Sequence, residues 1–346
     1  MREISNGMKT RVAINGFGRI GRMSFRILAE RKDIEVVGIN DLTDTLTLAH
    51  LLKHDTNYGE FQHDVKFDAT SIIVDGVSIP VSADKDPEQL PWKALNVDVV
   101  IESTGRFVTT ESASAHLRAG AKKVVLSAPA KDDETATIVI GANEETLEHA
   151  GDVISNASCT TNSIAAVMAI MELEFGIEKA MLTTIHSYTA TQVLQDGPSK
   201  DLREARAAAE NMVPTTTGAA KAVALTVTSL KNKFDGLSVR VPTSVVSLSD
   251  VTMLLKKDTT KEEINEVFKK HVKEPYFQGI IAVSEEPLVS SDYIGNSHSG
   301  TVDALLTNVV DGNLAKVVVW YDNEWGYSNR LVEMVADVGK TLASKE

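Results

Sequence analysis

The sequence predicts an α/β protein built on a doubly wound, mostly parallel sheet, and three observations carry that prediction. An apolar β-type run opens RVAINGFGRIGR (11–22) and passes through a glycine-rich turn into GRMSFRILAERKD, which has helical periodicity. A second β-type run, IEVVGIND (34–41), follows at once. Two further buried-type runs, VDVVIESTG (97–105) and KKVVLSAPA (123–131), end in small or polar residues. Strands alternating with helices in this order form parallel sheets whose ligands sit at the carboxyl ends of the strands. At 346 residues the chain has length for about two domains of ordinary size.

Hydrophobic residues make up 43% and charged residues 24%, without repeats or biased runs, which is a globular composition with disorder expected only in the first few residues. The formal net charge of −13, with Lys and Arg scattered, argues against nucleic acid as the main ligand. An anionic small substrate must then be held by local positive groups or helix ends. MREISNGMKT at the N-terminus lacks the apolar core of a secretion signal, and a single cysteine cannot form an internal disulfide. The longest apolar runs, such as IAAVMAIM (164–171), fall short of the roughly 20 residues of a membrane span. These features predict a cytoplasmic location and no membrane association.

In the first motif Gly16, Gly18 and Gly21 are spaced G-x-G-x-x-G, and Asp41 ends the second strand. In such a Rossmann-type turn the first glycine makes the tight turn, the second lets backbone approach a pyrophosphate, and the third allows close helix–strand packing. The helix N-terminus adds amide donors and a favourable dipole for phosphates. Asp41 is suited to bind the adenosine ribose diol and to repel a 2′-phosphate, which favours NAD over NADP. Thr104, Gly105 and Ser127, at the ends of the next two strands, are either further cofactor contacts or ordinary strand-ending turns.

Cys159, the only cysteine, lies in NASCTTN (156–162) directly before Ile164, Val167, Met168 and Met171, the apolar face of an amphipathic helix starting near Thr160. A thiol at a helix N-terminus is stabilised as thiolate by free amides and dipole, and the same amides can hold an oxyanion. A free cysteine is commonly just a small buried hydrophobe, but its polar neighbours Asn156, Ser158, Thr160, Thr161 and Asn162 suit a cleft. Of eight histidines, seven sit in charged or amphipathic stretches and read as solvated or structural. His186, in the β-rich AMLTTIHSYTATQ (180–192), is the candidate base, though spacing alone cannot bring it to Cys159. HLLKH (50–54) lacks an acid at the usual place, so no metal site is expected.

Residues 188–220 are long, irregular and rich in breakers, with one short helical patch expected, and such segments are commonly functional. They carry Lys200, Arg203, Arg206 and the hydroxyl run Thr215–Thr217 before Gly218 and an apolar helix. In LSVRVPT (237–243) the alternation puts Leu237, Val239 and Val241 on one face and Ser238 with Arg240 on the other. Arg240 either solvates an exposed sheet face or grips a phosphate. Two hydroxyl-plus-arginine groups in an acidic chain suggest a substrate with two anionic sites. The last segment, from AKVVVWYDNEW (315–325) onward, reads as a strand and then a helix capped by Asp322 and Asn323 and aligned along Tyr327, Leu331, Met334 and Val338.

INGFGRIGR (14–22), SNASCTTN (155–162), HSYTATQ (186–192), PTTTGAAKAV (214–223), VRVPT (239–243) and WYDNEWGYS (320–328) together resemble the signatures of phosphorylating glyceraldehyde-3-phosphate dehydrogenases of the bacterial and eukaryotic type, in family order. The resemblance implies a Rossmann NAD domain over 1–158, completed by a C-terminal helix over 322–346, and an α+β catalytic domain with a mixed sheet over 159–321. It implies Cys159 as nucleophile and His186 as its base. Arg19, Ile20, Asp41, Ser127 and Asn323 fall on cofactor positions, Asn323 fixing the nicotinamide carboxamide. Thr189 and Arg240 would hold the C3 phosphate of glyceraldehyde 3-phosphate; Ser158, Thr160, Thr217, Gly218 and Arg206 would hold the attacking inorganic phosphate. It further implies a homotetramer in which the 188–210 region packs across an interface.

The chain departs from the family pattern at several places. Ser163 replaces a frequent second cysteine, Lys85 stands for an arginine beside the adenine, and GPS (197–199) replaces a leucine and proline. VPTSVVS (241–247) and DYIGNSHSGTVDA (292–304) also differ. Three rivals remain at this stage: an erythrose-4-phosphate dehydrogenase, against which the intact TTTGAA argues; a cysteine hydrolase; and a binding protein without activity.

Overall fold

The computed structural model describes residues 9–344; MREISNGM, read above for its lack of an apolar core, and the last two residues lie outside them. The chain divides into two compact units, Met1–Thr137 with Glu145–Asn156 and Ser328–Glu346, and Ile138–Glu144 with Ala157–Tyr327. These limits differ from the sequence-based ones chiefly at 138–144. Gly141 there lies so close to Ile280 that an added Cβ would meet its Cγ2 at 2.8 Å, and Glu144 accepts a bond of 2.8 Å from the Tyr276 hydroxyl.

The first unit runs β1 (Thr10–Asn15), α1 (Arg19–Ala29), β2 (Ile34–Asn40), α2 (Thr45–Lys53), the short pair β3 (His54–Asp55) and β4 (Gly59–Glu60), then β5 (Val65–Phe67), β6 (Ser71–Val74) and β7 (Val77–Ser82). It continues through β8 (Val99–Glu102), α3 (Thr110–Arg118), β9 (Lys123–Leu126), β10 (Ala136–Thr137) and β11 (Val153–Ser155). Its sheet has the order β10-β11-β9-β8-β1-β2-β7-β6-β5. Pairing is parallel from β10 to β7 and antiparallel through β6 and β5. The connection leaves β1 for β2 on one side and later returns to β8 on the other, which makes the β1/β8 boundary the switch point where doubly wound sheets bind ligands. Strands covered on both faces must be apolar throughout, and Val12, Ala13, Ile14, Val99, Val100 and Ile101 are all fully buried.

The second unit begins with α4 (Cys159–Glu174), followed by β12 (Ile177–Ser187), β13 (Val213–Thr216), α5 (Ala219–Thr226), β14 (Phe234–Val241), β15 (Ser247–Leu255) and α6 (Lys261–His271). After these come β16 (Ile281–Ser284), β17 (Gly300–Asp303), β18 (Asn308–Val310), β19 (Leu314–Tyr321) and the first residues of α7 (Trp325–Ala343). The mixed sheet has the order β13-β14-β12-β15-β19-β17-β16, with β18 beside β19. β12 pairs with β14, and β16 with β17, in parallel; the other neighbours are antiparallel.

Three sequence expectations are corrected, and one left open is decided. Helix α4 is not amphipathic: Thr160–Met168 are buried on every side, because the sheet, α5 and α6 all pack on it. Its polar residues close their bonds locally, Asn162 Nδ2 to Ser158 O at 3.0 Å and Ser163 Oγ to Thr160 O at 2.8 Å. The helical patch expected within 188–212 is absent, the chain making turns and bends there. On β14 the alternation holds but the inner face is the polar one, with Ser238 3% exposed and Leu237 44% exposed. Of the two residues expected to cap α7, only Asp322 does so, accepting from Glu324 N at 3.0 Å and Trp325 N at 2.8 Å.

Strand β17 lies directly on α4, since a Cβ at Gly300 would come within 2.5 Å of Ser163 O and 2.7 Å of Val319 Cγ1. Gly300→Ala should therefore cost about 1–3 kcal/mol in chemical denaturation. Gly151→Ala, where an added Cβ meets nothing within 4 Å, should stay within about 0.5 kcal/mol of the parent.

Candidate active site

The start of α4 is built by local rules. Ser158 is the N-cap, its hydroxyl accepting from Thr161 N at 3.1 Å and contacting Thr161 Oγ1 at 2.8 Å. Before it, Ala157 sits at φ +56, a conformation that costs free energy in a non-glycine residue, and its carbonyl accepts from the buried Tyr327 hydroxyl at 3.0 Å. The cap and the strained residue fix where the first helical residue, Cys159, presents its sulfur.

Register along β12 brings the base to it. Cys159 Sγ lies 3.5 Å from His186 Nε2. The other ring nitrogen, Nδ1, donates to the carbonyl of Ser187 at 2.7 Å. The proton of a neutral imidazole is thereby placed on Nδ1, and the lone pair of Nε2 faces the thiol. Arg240 is the register partner of His186 on β14, and its Nη1 reaches Ser187 O at 3.5 Å. Its buried Nε has no protein partner among the described residues.

Charge and burial oppose each other here. Burial pushes the Cys159 thiol up, while the Arg240 charge and the Thr160 amide pull it down. Burial first and the Arg240 charge second bring His186 down to about 3, against the opposing bond to Ser187 O. The resting thiolate expected from the sequence is thus opposed by burial. Arg240 is the charge that favours thiolate formation.

Behind the pair, the Tyr321 hydroxyl lies 2.9 Å from Thr160 Oγ1 and 2.8 Å from Thr184 Oγ1. Burial raises the pKa of Tyr321. Thr160 is 5% exposed, its hydroxyl engaged by Tyr321 and by the Cys159 thiol, so its backbone amide is the part suited to an anion. Asn323 Oδ1 accepts from Ser187 Oγ at 2.9 Å and Ser247 Oγ at 3.0 Å, which leaves Nδ2 as the donor for a ligand. Thr189 stands just beyond β12, its hydroxyl 2.9 Å from that of Thr191. Thr217 Oγ1 accepts from Ala219 N at 3.2 Å, and Gly218 is the N-cap of α5, which packs beside α4. Arg206 is engaged elsewhere, its Nε donating to Asp196 at 2.8 Å in an exposed ion pair.

In the first unit, a cavity of about 280 Å³ is lined by Gly16, Gly18, Asp41, Lys85 and Thr104 of the predicted residues. Gly16 has φ +92, and a Cβ there would meet Thr104 N at 2.8 Å; one at Gly21 would meet Gly16 O at 2.1 Å. At Gly18 an added Cβ would meet nothing within 4 Å, so this turn leaves room for a ligand's backbone-bound group. Asp41 accepts from Phe17 N at 2.8 Å and Thr43 N at 3.0 Å. The Arg19 side chain pairs with Asp55 and lies over the Tyr58 ring, which leaves its main chain, with that of Ile20, at the start of α1. Gly105 turns at φ +69, and Ser127 N donates to Glu102 O at 2.9 Å; neither lines the cavity. These groups fit a dinucleotide.

Sequence reasoning missed Ser247, Tyr321, Asn15 and Asn40. Ser247 is 60 residues from its partner Ser187, and no local pattern signals such a pairing. His116 and His271, grouped with solvated or structural histidines, are in fact buried.

A doubly wound sheet with an open glycine turn, in one chain with a half-buried thiol beside a buried imidazole, defines a dinucleotide-binding protein with a cysteine–histidine reaction centre. The chain belongs to the glyceraldehyde 3-phosphate dehydrogenase family: residues 10–110 match that family's NAD binding domain and residues 158–323 its C-terminal domain. It is 57% identical over 325 residues to the glyceraldehyde-3-phosphate dehydrogenase of Thermotoga maritima, covering 93% of this chain and 97% of that one. It is 53% identical over 330 residues to the enzyme of that name from Geobacillus stearothermophilus, covering 95% and 98%. Against glyceraldehyde-3-phosphate dehydrogenase 1 of Bacillus subtilis it is 50% identical over 334 residues, covering 96% and 99%.

The role of Arg240 can be read in the reactivity of Cys159. The guanidinium charge lowers both the thiol and the imidazole, so without it both groups should titrate higher. In Arg240→Leu the pH profile of Cys159 alkylation by iodoacetamide should move upward by about one to three units, with slower alkylation at neutral pH. Arg240→Lys should move it less.

Proposed function

We propose that this protein oxidises and phosphorylates D-glyceraldehyde 3-phosphate to 1,3-bisphosphoglycerate, with NAD as the oxidant. The observation that carries the reading is the imidazole lone pair aimed at the only thiol of the chain. The Cys159 sulfur adds to the aldehyde carbon, and the proton lost from the thiol ends on the new hydroxyl of a thiohemiacetal. His186 Nε2 then accepts that hydroxyl proton as the C1 hydrogen leaves as hydride. NAD, when bound, takes up the hydride. Inorganic phosphate attacks the resulting thioester carbon, the C–S bond breaks, and the sulfur is released for the next cycle.

Electrostatics support the division of substrate contacts. Arg240, with Thr189, is suited to the C3 phosphate, its buried Nε lacking an acceptor among the described residues. Ser158, the Thr160 amide, Thr217 and Gly218 offer hydroxyls and helix-start amides for inorganic phosphate. The Asp196 pair takes Arg206 out of this group. Asn323 Nδ2 would hold the nicotinamide carboxamide, and Asp41 the adenosine ribose. Burial gives His186 its function: a histidine lowered to about 3 is an unprotonated base throughout the neutral range.

Purified protein with glyceraldehyde 3-phosphate should reduce NAD only when phosphate is present, and NADP far more slowly. Reduction independent of phosphate would point instead to the erythrose-4-phosphate type. Cys159→Ser should abolish turnover and leave NAD affinity nearly unchanged; a matching loss of affinity would refute the separation of roles.

A homotetramer, with glyceraldehyde 3-phosphate and phosphate as its partners and a cytoplasmic setting, completes the proposal. Exposed apolar residues support the assembly: Leu194 at 82%, Leu202 at 83% and Met212 at 76% within 188–212, and Met181 and Leu225 at 63% beside a groove of about 940 Å³. Among the described residues no helix is long and apolar enough to cross a membrane. Sedimentation velocity should give a four-chain particle, and Met181→Asp with Leu225→Asp should shift it to smaller species.

A further inference from the structure

Beneath the cavity of the first unit lies a chain of buried polar groups that neither the fold nor the chemistry above has used. Trp92 and His116 are 0% exposed, Asn15 1%, Glu102 2% and Asn40 5%. The Trp92 indole Nε1–H donates to His116 Nδ1 at 2.9 Å, and His116 Nε2 lies 3.0 Å from Glu102 Oε2. Indole can only donate, so Nδ1 must accept and the ring proton sits on Nε2, directed at the carboxylate. The Trp92 contact thus fixes which ring nitrogen accepts and which one faces Glu102.

Glu102 then receives four donors. Oε2 accepts from His116 and from Asn15 Nδ2 at 2.5 Å; Oε1 accepts from Thr104 N at 2.8 Å and from Thr104 Oγ1. No neighbour accepts from it, which is the pattern of a fully bonded carboxylate. The network continues toward the other end of the cavity: Asn40 Nδ2 donates to Asn15 Oδ1 at 2.7 Å and to Asp84 O at 2.9 Å, and Asp84 N donates to Asn40 Oδ1 at 3.0 Å. Asn15, Asn40, Asp84 and Thr104 all line the cavity. Ser103 Oγ donates to Gly16 O at 2.7 Å, and the backbones of Gly16 and Thr104 are in contact.

We propose that Glu102, its orientation set by the His116–Trp92 pair, is the positioning residue of the dinucleotide pocket, clamping the Asn15–Gly16 turn of β1 against the Ser103–Thr104 end of β8. It rests on the reading of that cavity as the NAD site. An amide at 102 would turn an NH₂ toward either Asn15 and His116 or Thr104, and both sides donate. At 116 the requirement is polarity: one acceptor toward Trp92 and one donor toward Glu102. Glutamine supplies both, with its two polar atoms about as far apart as the imidazole nitrogens, and leucine supplies neither.

The test is calorimetric titration of the full-length protein with NAD, with melting temperature and the Cys159 alkylation rate measured alongside. Glu102→Gln should weaken NAD binding by about tenfold or more while alkylation stays at the parent rate. His116→Leu should weaken binding comparably, and His116→Gln should restore it to within about threefold of the parent. Should Glu102→Gln fail to fold, the contrast between the two His116 variants decides. The proposal is overturned if the parent binds NAD and the variants bind equally well, or if His116→Gln loses as much affinity as His116→Leu. A parent protein that bound no NAD would refute the cofactor reading itself, and the proposal with it.

Discussion

The bond from His186 Nδ1 to the carbonyl of its own neighbour, Ser187, is the interaction on which the chemistry rests. A histidine with either nitrogen free to protonate would face the thiol with a donor or an acceptor indifferently. By committing the proton to Nδ1, the strand end leaves an unshared pair pointing at sulfur over 3.5 Å. Burial then lowers the imidazole to about 3, so the base stays unprotonated without needing a carboxylate behind it. Backbone, not a third side chain, orients the ring.

The same burial sets the condition that the rest of the second unit must satisfy. Burial raises the Cys159 thiol, and the opposing influences are local: the Arg240 charge, the Thr160 hydroxyl and the amides where α4 begins. The α4 start is held on one side by the Ser158 cap and on the other by Tyr321, whose hydroxyl joins Thr160 to Thr184 of β12. Ser163, in the helix four residues after Cys159, is fully buried and bonded back to Thr160 O. Its hydroxyl thus serves the first turn of the helix that carries Cys159.

In the first unit the constraint is closeness of backbone. The Gly16 turn can reach the end of β8 only without a Cβ, and Gly21 must be bare for α1 to approach that turn. Hydrogen bonds among Asn15, Glu102 and Thr104 convert this steric permission into a fixed distance. The glycines allow the shape, and the buried carboxylate selects it.

Much of this was legible in the order of residues. The glycine spacing, the acid after β2 and the thiol before an apolar stretch are local patterns, and each follows from chemistry within about twenty residues. The sequence by itself determined the doubly wound unit and the helix that follows the thiol, and it offered Cys159 and His186 as candidate nucleophile and base. Only the tertiary structure decided which face of β14 turns inward, since alternation pairs Ser238 with Arg240 without saying which side α4 and α5 cover. It likewise decided that α4 is enclosed rather than amphipathic, that Arg206 belongs to Asp196, and that His116 is a buried link and not a surface residue. The physical reason is common to all of these: periodicity records which residues share a face, whereas burial, and with it every pKa shift and long-range hydrogen bond, depends on what other segments are packed against that face.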